Sequence, residues 1–544
     1  MWRELLLGAQ AARAEDPARP RGPGRRRSIG AGKLPRASPS GPPRRGQRGG
    51  RLALSREIES RPEASQPPGS PPPRRLKVLL LNPPSPPEFR VSRGLMGGFG
   101  MAVNPGLLYP PIELCHVAAV LEADGHGVEI LDCDPKGLGP DAALAEVLRR
   151  RPDFVCLDSS STSLDQDLAL ARRIRQGLRV PVAILGSQVT YTPGELFQDQ
   201  AVDAVVRGEP EYTVRDLARR VAQGEGFSGV EGVSYRLPDG QIVHEAEREK
   251  IAELDALPIP ARHLLDNQAY RFPGIEGPIT TVKSSRGCPL NCSFCGYTLA
   301  QGLRFRFRSP ESVLAELEDL YFRHGLRHVV FRDPIFTTRK DRIHAICEGI
   351  LSRGMTELEW QCETAVKTLD RALLEKMAAA GCRHISLGVE SGNAEIQKKH
   401  CGNKLNDLDH AEEVFKACRA VGIETRAFCM IGFPEETPAM ADETIRLVER
   451  LDPDQVQFCA VTAYPGTPLY KMLRGERDFD YAQMTGFQAM EGNEHMSAAE
   501  IEAKIREAYR SFYLRPKRIL REIKSPGRLA GKVARYFTLF RRRA

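Results

Sequence analysis

The sequence lacks the features that would place it in a membrane or outside the cell. No run of about 18 apolar residues exists, the length a spanning helix needs. The N-terminus has no apolar segment of the kind a secretory signal carries. Cysteine is sparse, 13 in 544 residues, and an odd number suits free thiols or metal ligands in a reducing cytoplasm better than a disulfide scaffold. No G-x-G-x-x-G follows the first apolar strand, so a dinucleotide fingerprint is missing. What is present is a globular composition, 41% hydrophobic and 27% charged, in a chain long enough for two or three domains.

Positive charge is confined to the two ends. Residues 1–75 carry 17 Lys or Arg against 6 Asp or Glu, and residues 515–544 carry 11 against 1. With a net charge of only +8 overall, the middle of the chain is acidic. Segments such as RPRGPGRRRS and SGPPRRGQRGG hold too few large apolar groups to offset the entropy of ordering them. Residues 1–75 are therefore expected to be a disordered basic extension. Residues 471–544 read as a helical basic region with two open readings. It packs as a solvated helix on the exterior, or it touches an anionic membrane surface or lipid-like substrate, since Phe537, Leu539 and Phe540 lie beside Arg541 to Arg543. Nucleic acid would need a reading element, and none accompanies these charges.

Residues 76–225 alternate short apolar runs (KVLLLN, VEILD, DFVCLD, VAILGS, DAVVRGE) with amphipathic helices. That pattern predicts an α/β, doubly wound domain with five mostly parallel strands covered on both faces. Ligands of such sheets lie outside the carboxyl ends of the strands. Those ends carry Asn82, Asp132, Ser159, Gly186, Ser187, Gln188, Gly208 and Glu209. Small polar residues there suit either a large ligand across the sheet edge or simply tight turns. Residues 226–278 form a packed connector with two antiparallel strands around Pro238-Asp239-Gly240.

Residues 279–470 contain six strand–helix units, which predicts a partial (β/α)6 barrel with its site at the C-terminal mouth. At that mouth stands SSRGCPLNCSFCGYTLAQG, residues 284–302, with Cys288, Cys292 and Cys295 spaced C-x3-C-x2-C. A structural zinc normally takes four protein ligands. Three thiolates on one compact loop can instead hold three irons of a cubane and leave the fourth open. Gly287, Pro289 and Gly296 mark a loop, not a core segment. Other strand ends at the mouth carry Arg332-Asp333, Gln361 to Glu363, Gly388 to Gly392 and Gly432 to Glu436. Glu435 and Glu436 read equally well as helix caps. Cys362, Cys382, Cys429 and Cys459 read as core packing, with hydrogen donation as the alternative role. Tyr464 reads as a pocket wall or a similar donor.

With Phe294 just before Cys295, the cysteine loop resembles the signature of the radical S-adenosylmethionine superfamily. LLLNPP, YPPIELCHVAAVLEADGH, AILGSQVTYTP and VDAVVRGEPE are similar to the cobalamin-binding domain found ahead of many such proteins. VFRDPIFT, ISLGVESGN, MIGFPEET and AYPGTPLY look like the loops of cobalamin-type radical enzymes. The resemblance implies a 4Fe–4S cluster on the three cysteines, S-adenosylmethionine and cobalamin. It implies that Asp333 engages the methionyl end, Gly388, Glu390 and Ser391 the ribose and carboxylate, and Ile431, Gly432 and Pro434 the adenine. The D-x-H-x-x-G loop is absent, and Gln188 stands near where relatives often have histidine, so cobalt is expected to lack a histidine ligand. The implied activity is methyl transfer to an unactivated carbon of a small molecule or lipid, with electrons from a donor such as flavodoxin or ferredoxin. Radical cyclisation, rearrangement or oxidation is the alternative, and a non-catalytic sensor or scaffold a further one.

Overall fold

The computed structural model describes residues 74–191, 193, 195–197, 200–473, 484, 486 and 488–523. The expected extension up to residue 73 and the segment Phe537 to Arg543 lie outside them. No helix among the described residues is long and apolar enough to cross a membrane.

The first sheet starts with β1 (Lys77–Asn82), which Pro83 and Pro84 terminate. An antiparallel ribbon follows, β2 (Arg90–Ser92) and β3 (Met101–Val103). Then come β4 (Gly127–Asp132), β5 (Phe154–Asp158), β6 (Val182–Leu185) and β7 (Ala204–Val206). These five long-range strands are parallel, and the spatial order is β4-β1-β5-β6-β7. Alternating β1 side chains serve two cores. Val78 and Leu80 meet the helices Ile112–Ala123 and Pro210–Gln223, while Leu79 and Leu81 meet Pro140–Arg150 and Leu164–Leu178. Burial on both faces is why these strands are apolar throughout. The connector's hairpin, β8 (Val233–Arg236) and β9 (Ile242–His244), extends the same sheet antiparallel beyond β7. The sheet therefore runs past residue 225. The β2–β3 ribbon has no counterpart in the expected elements, because three-residue strands around a glycine-rich tip carry no periodic signal.

The second sheet contains β10 (Ile279–Val282), β13 (His328–Phe331), β14 (Glu359–Thr364), β15 (Cys382–Glu390), β16 (Glu424–Ile431) and β17 (Gln455–Ala460). All six are parallel and adjacent in that order, the expected partial barrel. Between β10 and β13 a small ribbon, β11 (Ser285–Arg286) with β12 (Arg306–Phe307), carries the cysteine loop. Cys362, Cys382 and Cys429 lie in the helix-side core as expected, whereas Cys459 is half-buried outside it.

An open barrel leaves an unpaired edge on β17. The helix Ala498–Tyr513 covers it. Val456 N donates to Tyr513 Oη at 3.3 Å and Phe458 N to Tyr509 Oη at 3.0 Å. Four helical residues rise about 6 Å, close to the roughly 6.6 Å between alternate strand residues, so the two hydroxyls match two successive edge donors. A Ser497–Glu500 capping box starts this helix. Among the described residues of the C-terminal region, Ala498–Tyr513 and Pro516–Ile523 are helical, and the first packs on the barrel.

The two sheets are joined by buried ion pairs. Glu209, after β7, accepts from Arg306 at 2.8 and 2.9 Å and pairs with Arg286 at 3.3 Å. Arg262 of the connector pairs with Glu316 at 3.0 Å, both almost fully buried.

Candidate functional site

The cysteine loop is held on three sides at the barrel mouth. Gly287 has φ +83° and its backbone presses on Arg304 O, so a side chain there would collide. Ser293, between two of the cysteines, donates from its backbone to His400 O at 2.9 Å, and its Oγ meets His400 Nδ1 at 2.8 Å. His400 Nε2 in turn meets Glu435 Oε2 at 2.9 Å. Phe433 stacks on His400 and meets Phe294 edge-on. Ser293 and His400 were not anticipated, since only the fold brings residue 400 to the loop.

Cys288 and Cys292 are buried and Cys295 partly so. Burial raises all three thiols, Cys292 to about 11, while the charge of Lys404 works in the opposite direction. Among the described residues, no group of three or more His, Cys, Asp or Glu side chains is placed to hold a single metal ion. Three soft donors spread along one loop suit separate irons of a cluster, and the residues present fit that group.

Beside the thiols lies Glu390, in left-handed backbone at φ +62°. Its carboxylate accepts from Lys404 Nζ at 2.6 Å, and the ammonium sits 5.7 Å from the centre of the Phe294 ring. A Cβ on Gly388 would fall 2.6 Å from Glu390 Oε1 and 3.3 Å from Lys404 Nζ. Gly388 thus keeps a cradle open in front of a carboxylate–ammonium pair, which fits the hydroxyls and charged end of S-adenosylmethionine. Lys404 was missed. Its only sequence signal is the preceding Gly402-Asn403, which adopts φ +61° and +50° and turns the chain toward the loop.

Other expected contacts are occupied by the protein itself. Asp333 is buried and accepts from Ser284 N at 2.7 Å, Ser285 Oγ at 3.0 Å and Ser284 Oγ. It fixes the segment leading into the cysteine loop. Ser391 is fully buried and accepts from Asn393 N at 3.2 Å, shaping the turn after β15. Ile431 lies in the helix-side core. Pro434 is buried with its carbonyl held by Glu494 N at 3.2 Å, which leaves Gly432, at φ +106°, as the more open backbone of that loop. Neither glutamate caps the next helix, because Thr437 does so through Met440 N. Glu436 instead accepts from Gly432 N at 2.6 Å and Phe433 N at 3.3 Å, and burial pushes its carboxyl up to about 7.

At the first sheet, the β2–β3 tip covers part of the carboxyl edge. Ser161 N donates to Phe99 O at 2.9 Å, Ser187 N to Gly98 O at 3.1 Å, and Ser187 Oγ to Gly97 O. Phe99 packs between Tyr191 and Tyr464 and against Gly296, the residue after Cys295. Gln188 is buried, accepting from Ser161 at 2.9 Å, and Ser159 donates to Asp167 at 2.8 Å. Gly186 abuts Ser159 O, and Gly208 N donates to Thr190 at 3.2 Å. Glu209 is engaged by Arg306. Burial raises its carboxyl, but the Arg306 hydrogen bonds and the Arg286 charge outweigh that and hold it below the usual range.

A partly open pocket lies instead over the ends of β1, β4 and β5, facing the barrel mouth. Asn82, Tyr109 and Asp158 line it from one side, Thr281, Lys283 and Arg332 from the other. Asp132 beneath it accepts from Asn82 at 2.8 Å and Tyr270 at 2.9 Å, and burial pushes it up to about 6. Burial, with the nearby Glu113 charge, pushes Asp158 up to about 8. Asn82 also accepts from Arg93 at 3.0 Å, and with Lys283 and Arg332 the lining supplies several polar donors, which suit the amide-edged corrin of cobalamin. No histidine lines it.

Family models match in the same two places. The Radical SAM superfamily model covers residues 282–448, and the B12 binding domain model covers residues 100–218. The chain is 30% identical over 458 residues to an uncharacterized methyltransferase, PH0819, of Pyrococcus horikoshii, covering 82% of this chain and 95% of that one. It is 25% identical over 428 residues to the anaerobic magnesium-protoporphyrin IX monomethyl ester cyclase of Rubrivivax gelatinosus, covering 77% and 75%. Its fold is similar to that of the radical S-adenosylmethionine methyltransferase TsrM from Kitasatospora setae with cobalamin and a 4Fe–4S cluster bound, at TM-score 0.60 and 20% identity over 79% of this chain and 81% of that one.

Proposed function

Since the chain belongs to the radical S-adenosylmethionine enzymes that carry a cobalamin-binding domain ahead of the barrel, we propose that it is a methyltransferase acting on an unactivated carbon. One observation carries the reading. The barrel mouth that bears the three thiols opens, through Thr281, Lys283 and Arg332, onto the same space as the strand ends Asn82 and Asp158.

When bound, the cluster and S-adenosylmethionine supply a carbon-centred radical, and cobalamin supplies the methyl group to be transferred. Cys288, Cys292 and Cys295 hold the cluster. Glu390, with Lys404 and the bare backbone of Gly388, orients the nucleoside and its charged end. Phe294 and Phe433 shield Cys292 and Cys295 from water, and Ile335 and Ala365 shield Cys288. Asn82 and Asp158 would hold corrin amides. Electrons come from a low-potential donor such as flavodoxin or ferredoxin.

A radical cyclase without methyl transfer is the second reading, favoured by the likeness to the Rubrivivax enzyme. Methyl-deuterated S-adenosylmethionine given to protein purified from cells supplied with cobalamin separates the two. The methyltransferase reading expects about one corrinoid per chain. It also expects a Co(II) resonance without nitrogen superhyperfine splitting and label passing from methyl-deuterated S-adenosylmethionine into product. Absence of corrinoid across expression and refolding conditions would remove methyl transfer from first place, and corrinoid-loaded protein that passes no label into product would leave the cyclase reading there.

A further inference from the structure

One rung of the barrel's inner face is polar, and we propose that the substrate is a water-soluble molecule rich in oxygen acceptors, not a hydrocarbon lipid. The proposal rests on the methyltransferase reading and narrows its substrate. Strand alternation decides which side chains point inward. Leu387, Ala427 and Cys429 lie in the helix-side core, so Ser386 and Arg426 project into the barrel. Register aligns Glu363 with Ser386, Ser386 with Arg426, and Arg426 with Gln455. One polar rung thus crosses β14, β15, β16 and β17, four residues or ~13 Å along β15 from Glu390.

Two rings from outside the barrel cover this rung. Arg426 donates to Gln455 Oε1 at 2.7 Å and lies 5.8 Å from the Phe272 ring centre. Arg332 donates to Glu363 at 2.7 Å and lies 5.4 Å from the Tyr109 ring. Tyr109 and Phe272 are 6.1 Å apart. Below them, Gln361 points inward between the core residues Trp360 and Cys362. It is 8% exposed, and its Nε2 has no hydrogen-bond partner.

A buried amide donor left unpaired is unfavourable, and a ligand oxygen would satisfy it. A hydrocarbon framework laid on the rung would strip water from Arg426 and Glu363 and return no hydrogen bonds. Carboxylate, phosphoryl and amide oxygens accept from the Gln361 amide and from Arg426, and these are the ligand groups the rung fits.

The test uses holoenzyme reconstituted with iron, sulfide and cobalamin, reduced by titanium(III) citrate and given methyl-deuterated S-adenosylmethionine. It is incubated separately with the aqueous and the organic extract of cells that express it. Label is expected in aqueous products, lowered about tenfold or more by Arg426→Leu and by Gln361→Leu. Gln361→Leu keeps the ionic rung intact, so it serves if Arg426→Leu fails to fold. Label confined to the organic phase would overturn the proposal. So would aqueous label that both variants leave unchanged. Label in neither phase would contradict methyl transfer itself.

Discussion

Lys404 Nζ lies 2.6 Å from Glu390 Oε1, with 17% and 8% of the two side chains exposed. A pair so withdrawn from water is stable only while both members remain. Lys404→Met leaves a buried carboxylate beside three cysteines. It is expected to weaken S-adenosylmethionine binding by about 2 kcal/mol with iron content unchanged. Equilibrium dialysis and iron analysis on the same preparation check this. Unchanged affinity would return the pair to a structural role, and lost iron would make it part of cluster retention.

Glu209 tests the junction between the sheets. Glu209→Ala strands Arg306 and part of Arg286 in a buried site, and should destabilise the protein by about 3 kcal/mol. Denaturant melts should show the lower midpoint. Glu209→Gln, which keeps the acceptor oxygen toward Arg306, should recover part of the loss. A neutral effect of both variants would mean that the junction is held by packing alone.

Asp158 gives a pH dependence of fixed sign. Burial, then the Glu113 charge, raises its folded carboxyl to about 8 from 3.8. The unfolded chain therefore loses this proton first. Its contribution to stability is full below pH 4, declines as pH rises toward 8, and is level above. Asp158→Asn should leave stability near pH 4 almost unchanged and increase it by on the order of 3 kcal/mol at pH 8. Thermal melts of cluster-free protein at the two pH values measure the difference. A uniform shift at both would contradict the assigned titration.

Most of the architecture was legible because the information is local. Apolar runs such as Val78 to Leu81 and the alternation in β16 need no partner to be recognised, and Cys288, Cys292 and Cys295 lie within one turn-rich loop. What was not legible depends on distant pairing. Asp333 stands at a strand end where a ligand contact would be expected, yet Ser284 and Ser285 take up its carboxylate. Glu209 reads as a mouth residue until Arg306, 97 positions later, is brought to it. Lys404 and His400 reach the cysteine loop from more than 100 residues away, with no motif of their own.

The central claim is that Cys288, Cys292 and Cys295 together hold a cluster that cleaves S-adenosylmethionine reductively. The most direct measurement is formation of 5′-deoxyadenosine by anaerobically reconstituted, reduced protein, alongside iron and sulfide analysis. The wild-type chain should bind about four irons and four sulfides and form 5′-deoxyadenosine. The Cys288→Ala/Cys292→Ala/Cys295→Ala variant should remain folded by circular dichroism and form none. Continued formation of 5′-deoxyadenosine by the folded triple variant would contradict the account.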